Sequence, residues 1–123
     1  MSQSLYPTFR FHDAHAAIAW LEATLGAERK EVHEDEGVVH HAELRVAGDV
    51  LMLGSYREDG PGHRPGQSTT YVAVDDVDAY WDRAREAGAE VVRELAEMDY
   101  GSREFSLRDP EGNGWSVGTY RPQ

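Results

Sequence analysis

The chain repeats itself, and that constrains its fold more than any other feature. Slid over itself by 62 positions, Asp13 meets Asp75, Ala17 meets Ala79, and Gly26-Ala27-Glu28 meets Gly88-Ala89-Glu90. In the first half a β-forming run at 8–11 precedes Asp13, and Ala14, Ala17, Ile18, Leu21 and Leu25 then fall on one helical face. Asp13 is a good N-cap, because its carboxylate accepts from free N–H groups of the first turn, and Gly26 suits a left-handed end. In the second half a β run at 70–74 leads to Asp75 or Asp76 as the cap. Val77, Tyr80, Trp81, Ala84 and Ala87 make the face, and Gly88 closes it.

Three strand-like stretches follow each helix, at 31–34, 38–46 and 50–56, and at 90–95, 103–108 and 115–120. The last turns correspond at an offset of 64, Gly48-Asp49 against Gly112-Asn113, and beyond them Gly54 meets Gly118 and Tyr56 meets Tyr120. Asp109-Pro110-Glu111-Gly112 is a strong turn, with proline setting φ and glycine free at the fourth position. Each half therefore reads β-α-β-β-β. The expected class is α+β: two tandem modules, 1–56 and 68–123, joined by a linker at 57–67. They form a curved mixed sheet around a concave pocket, with the helices outside. One helix covers only one face of a four-stranded sheet, so the other face is left to line a pocket.

Composition narrows the partners. Twelve Lys and Arg against 23 Asp and Glu leave a formal net charge of −11 over 123 residues, which repels phosphate backbones. No basic stripe opposes that sign, so neither nucleic acid nor a membrane is expected as a partner. The chain has no cysteine, which excludes disulfides, thiolate metal sites and cysteine catalysis. No apolar run approaches the ~20 residues of a membrane span, and the N-terminus has no signal-peptide pattern, so a cytoplasmic location is expected.

The paired modules, the Asp-capped helices ending at Leu25-Gly26 and Ala87-Gly88-Ala89, and the terminal Asp109-Pro110-Glu111-Gly112-Asn113 resemble the vicinal oxygen chelate superfamily. It includes glyoxalase I, extradiol dioxygenases and the fosfomycin and bleomycin resistance proteins. The stretch from Tyr100 through Trp115 to Tyr120 looks most like its small bacterial glyoxalase/bleomycin-resistance-like members. In metal-using members, one residue from the first and one from the last strand of each module hold a divalent ion. The resemblance places these positions at Tyr6, Met52, Thr69 and Ser116. None is a carboxylate or imidazole, and neither are their neighbours in sequence, so no metal and no cofactor is expected.

The resemblance implies a homodimer that binds a small molecule, as in antibiotic sequestration, with a ligand-facing set of Tyr6, Thr8, His41, Glu43, Met52, Thr69, Tyr71, Arg103 and Ser116. Ser116 takes the inward position, and strand alternation turns Trp115 to the opposite face. Tyr100, Phe105 and Trp115 are further aromatic candidates for the pocket. The faces of Arg103 and Glu104 stay open at this point.

The other reading is an enzyme, a glyoxalase-type lyase or isomerase with a rebuilt site. His41 and Glu43 alternate onto one strand face, where they form either an acid–base pair or, with a third ligand such as His12, a metal site. Against both stands a structural pairing of Glu43 with Arg10 or Arg45. His15 and His33 read as solvated, His63 as a linker residue placed to touch a ligand as a lid. An accessory domain with a vestigial pocket is the third possibility.

Overall fold

The computed structural model describes residues 3–60 and 64–122. The first module contains β1 (Thr8–Phe11), α1 (Ala14–Leu25), β2 (Glu28–Asp35), β3 (Val38–Val46) and β4 (Asp49–Ser55). The second contains β5 (Thr69–Ala73), α2 (Val77–Glu86), β6 (Glu90–Glu97), β7 (Arg103–Arg108) and β8 (Gly114–Gly118). The expected α+β architecture is present with its sheet in two pieces, ordered β1-β4-β3-β2 and β5-β8-β7-β6. In each piece the first strand runs parallel to the last, and the other neighbours are antiparallel.

The caps explain where the helices start and stop. Asp13 accepts from Ala16 N–H at 3.0 Å, and Asp76, the second of the two candidates, accepts from Ala79 N–H at 3.1 Å. The caps thus lie 63 positions apart, whereas Gly26 and Gly88, both at positive φ, lie 62 apart, so the stretch from cap to glycine is one residue shorter in the second module. Two-residue turns with positive φ at both positions, Glu36-Gly37 and Ala47-Gly48, join β2 to β3 and β3 to β4. The second turn centres one residue before the expected Gly48-Asp49, because Asp49 already pairs with Val46.

The edge strands β2 and β6 run longer than their sequence suggests, starting at Glu28 and ending at Glu97. Both are exposed along most of their length, β2 nearly all polar and β6 with Val91, Val92 and Leu95 among its charges, so backbone pairing with β3 and β7 sets their extent. Such charged edges also discourage pairing with stray strands.

Each helix covers one face of its own sheet. Ala42, Leu44, Leu51 and Leu53 are buried with Ile18, Leu21 and Leu25 of α1, as the alternation along 38–46 requires. In the second module Val72, Phe105, Leu107, Trp115 and Val117 are buried with Val77 and Ala84 of α2, and Trp81 packs on Phe105 with ring centroids 5.1 Å apart.

The modules meet through these helix-bearing sides. Helix α1 lies against α2. Phe9 stacks on Trp115 at 5.1 Å, and Trp20 approaches the same indole at 6.1 Å. Burying side chains of this size contributes roughly 1.5–3 kcal/mol each, which makes the seam a main source of cohesion. Glu111 adds a polar clamp. Its two carboxylate oxygens accept from the N–H groups of His12 (2.7 Å) and Asp13 (2.8 Å), at the positive end of α1.

Candidate functional site

Because helices occupy one face of each sheet, the uncovered faces are the ones open to a ligand. Strand register assigns their residues. On the first module Thr8 lies opposite Met52, Met52 opposite Glu43, and Glu43 opposite Glu31. His41 shares this face and lies opposite His33, their rings 6.2 Å apart. On the second module Tyr71 lies opposite Ser116, Ser116 opposite Ser106, and Glu104 opposite Gly118.

His41 and Glu43 are brought together as their spacing predicts, with Nε2 and Oε2 2.9 Å apart. Lys30 approaches the other Glu43 oxygen at 3.9 Å, where Arg10 and Arg45 had been the expected cations. The His41 hydrogen bond is the main cause of a Glu43 pKa below the usual carboxylate range. Both side chains are partly open to solvent, so this is a water-screened surface contact and not a buried acid–base couple. His12 does not join them: its ring meets Tyr56 edge-on at 5.2 Å. His15 bonds Glu34 at 2.8 Å on the surface, and His63 lies outside the described residues. Arg10 extends instead over Gly54, where a Cβ would come within 2.3 Å of its Nη1.

The four positions that the resemblance assigns to a metal carry other chemistry. Tyr6 precedes β1 and donates to Gln3 O at 3.0 Å, Met52 offers a thioether, and Thr69 opens β5 opposite Gly114. The Ser116 hydroxyl is 2.8 Å from that of Ser106. Two hydroxyls, a phenol and a thioether do not make a set for a divalent ion, which prefers carboxylate or imidazole. Among the described residues no three His, Asp or Glu are grouped to hold one.

The second face is furnished differently. Glu104 is only 7% exposed. Tyr100 O–H donates to its Oε1 at 2.7 Å, and Tyr100 meets Tyr120 edge-on at 6.0 Å. Tyr71 donates to Tyr120 O at 2.8 Å. Together with Thr69, Ser116 and Pro122, these residues line a hollow of about 360 Å³. Burial raises the Tyr71 pKa, and the hydrogen bond to Glu104 raises that of Tyr100, so both phenols keep their protons well past neutrality.

Gly118 makes the arrangement sterically possible. A Cβ there would lie 2.4 Å from Glu104 Cγ and 2.7 Å from the Tyr71 hydroxyl. A larger apolar groove of about 620 Å³ runs beside this hollow, lined by Leu5, Tyr6, Val50, Tyr71 and Trp115 among others.

Ser116 faces the open side and Trp115 the core, as expected. Phe105 is wholly buried and is a core residue, not a pocket aromatic. Arg103 sits on the side opposite Glu104, where Nε and Nη2 both donate to Asp78 Oδ1 at 3.0 and 2.9 Å and Nη1 reaches Glu97 at 3.3 Å. It is not gathered with the other candidates. Glu104 and Gly118 join this face through the β7–β8 register, and Tyr120, just past β8, joins it as a lining residue of the hollow.

Comparison with known proteins follows the same outline. Residues 5–117 match the family model described as "Glyoxalase/Bleomycin resistance protein/Dioxygenase superfamily". The chain is 34% identical to the uncharacterised protein Mb0911c of Mycobacterium bovis, over 94% of this chain and 82% of that one. In structure it resembles TioX from Micromonospora sp. ML1, with a TM-score of 0.82 and 25% identity over 98% of this chain and 100% of that one. It also resembles a glyoxalase/bleomycin resistance protein from Catenulispora acidiphila, with a TM-score of 0.71 and 25% identity over 95% and 97%. No helix among the described residues is long and apolar enough to cross a membrane.

Proposed function

Because the chain belongs to the glyoxalase/bleomycin resistance protein/dioxygenase superfamily, we propose that it is a metal-independent small-molecule-binding protein that holds its ligand without changing it. One observation carries this reading. The four positions that the resemblance assigns to metal ligands bear Tyr6, Met52, Thr69 and Ser116, while the face around Ser116 keeps an open hollow lined by three tyrosines. Sequestration of a drug-like compound in the cytoplasm is the role such a site suits.

The ligand pocket is completed by a second copy. The modules of one chain touch through their helix-bearing sides, so their open faces look outward and each lacks an opposing wall. Leu5, 87% exposed, and Tyr6 at the rim of the apolar groove favour burial against such a partner. The resulting homodimer sets the first module of one chain against the second module of the other.

A second reading rests on the His41–Glu43 pair, whose 2.9 Å contact would serve an acid–base enzyme once a partner covers it. Metal analysis of the purified protein, followed by a thermal-shift screen and mass spectrometry of the recovered ligand, separates the two. A ligand that raises the melting temperature and returns intact supports sequestration. Stoichiometric metal that disappears on mutating His41 or Glu43, or a chemically altered ligand, overturns it.

A further inference from the structure

The hollow on the second module's open face holds a buried carboxylate with little to neutralise it. Burying an ionised carboxylate is costly unless a cation or several donors face it. Glu104 has one donor among the described residues, the Tyr100 hydroxyl on Oε1. The arginines along this edge are engaged elsewhere: Arg103 with Asp78 and Glu97, Arg108 with Glu90, and Arg121 with Asp75. Arg93 points its Nη1 at the Met98 sulfur. Among the described residues every fully buried side-chain oxygen or nitrogen has a hydrogen-bond partner. Glu104 lines the hollow, and its second oxygen has no hydrogen-bond partner among the described residues.

Three tyrosines line the hollow with Glu104. Tyr71, Tyr100 and Tyr120 are 37%, 60% and 48% exposed, so substantial ring surface is turned to whatever enters. Aromatic faces attract cations electrostatically, and a wall of rings around one carboxylate suits a positive charge carried on an apolar body. An anion would meet the carboxylate, and a small hydrated metal ion would find one oxygen and no second carboxylate. A neutral apolar molecule would leave the Glu104 charge without a partner. The formal net charge of −11 adds a weak attraction of the same sign.

We propose that this hollow binds an organic cation, a protonated or quaternary amine bearing an apolar or aromatic group, with its charge against Glu104 and its body among Tyr71, Tyr100 and Tyr120. The proposal rests on the small-molecule-binding reading above and names the ligand class for it. Gly118 is part of the design, since any side chain at that position would push Glu104 and Tyr71 out of their places.

The test titrates benzyltrimethylammonium, benzyl alcohol and benzoate into the full-length protein and follows backbone amides of Ser116, Gly118 and Thr119 by NMR. The expected result is saturable shifts with the cation alone, and at least tenfold weaker binding in Glu104→Gln. If that variant does not fold, Tyr120→Leu on the exposed rim takes its place, with binding weakened about threefold through loss of one ring face.

Equal saturation by benzyl alcohol, or an unchanged cation affinity in the variant, overturns the charge assignment but leaves an apolar ligand site intact. Absence of any shift at these amides overturns the cation site. The broader reading fails separately, when no compound of any charge stabilises the protein in the thermal screen.

Discussion

The Trp115 indole N–H donates to the buried Asp109 carboxylate at 3.0 Å. The same carboxylate accepts from Asn113 Nδ2 (2.9 Å) and from the N–H groups of Glu111 and Asn113 (both 3.0 Å). One side chain therefore shapes the turn before β8 and fixes the ring that stacks on Phe9. Asp109→Ala leaves buried donors unsatisfied, and we expect a loss of about 3 kcal/mol in chemical denaturation. A loss below about 1 kcal/mol would show that water replaces the carboxylate without cost.

Ala47 lies in the left-handed region at φ 50, a conformation that strains an L-residue. Ala47→Gly should relieve this and raise stability by about 0.5–1 kcal/mol, despite the freer unfolded chain. Ala47→Asn should act in the same direction. A fall in melting temperature for both would refute the strain.

Glu43 is held below its ordinary pKa chiefly by the hydrogen bond from His41. A lowered folded-state value means that the unfolded chain binds the proton more readily. The stabilisation is present above the ordinary glutamate range and fades as pH falls through the lowered value. Replacing His41 with Gln should move the Glu43 carboxyl titration, read by ¹³C NMR, back upward. An unmoved titration would mean that the pair does not persist in solution.

Arg103 was a candidate ligand contact by position, yet it is tied to Asp78 and Glu97 beside α2. Both acidic partners are well exposed, so Arg103→Ala should cost less than about 1 kcal/mol and leave ligand affinity unchanged. A tenfold loss of affinity would return Arg103 to the site.

The proposed dimer predicts complementation between defective copies. Met52→Trp and Ser116→Trp each block one face, so either homodimer should bind no ligand. Mixed and refolded together, they should regain half of the sites in heterodimers, because one pocket then carries both lesions and the other none. No recovery by calorimetry, with subunit mixing confirmed by mass spectrometry, would place both walls of the pocket in one chain.

Much of the fold could be read from residue order. The Asp caps, the positive-φ glycines after each helix and the alternation of Ala42, Leu44 and Val46 are local signals, and local physics decides them. The full lengths of β2 and β6 were not legible, because exposed edge strands carry no apolar alternation that marks where pairing begins and ends. The face taken by Glu104 escaped for a related reason. From Glu104 to Arg108 polar and apolar residues alternate, but Arg103 breaks the pattern on the helix side, where it finds carboxylates at the sheet margin. The burial of Phe105 and Leu107 on the other face, together with the pairing of Glu104 with Gly118, settles that Glu104 looks outward. The His41–Glu43 contact was legible because it needs nothing beyond a two-residue step along a strand.

The seam of Phe9, Trp20 and Trp115, fastened by Glu111, bears on how the duplicated halves could drift apart. Mutual dependence sits at their backs, so a change there in one half is felt by its twin. The fronts carry no such obligation to each other within one molecule. One has accumulated Arg10, His41 and Glu43, while the other has gathered tyrosines around a lone acid.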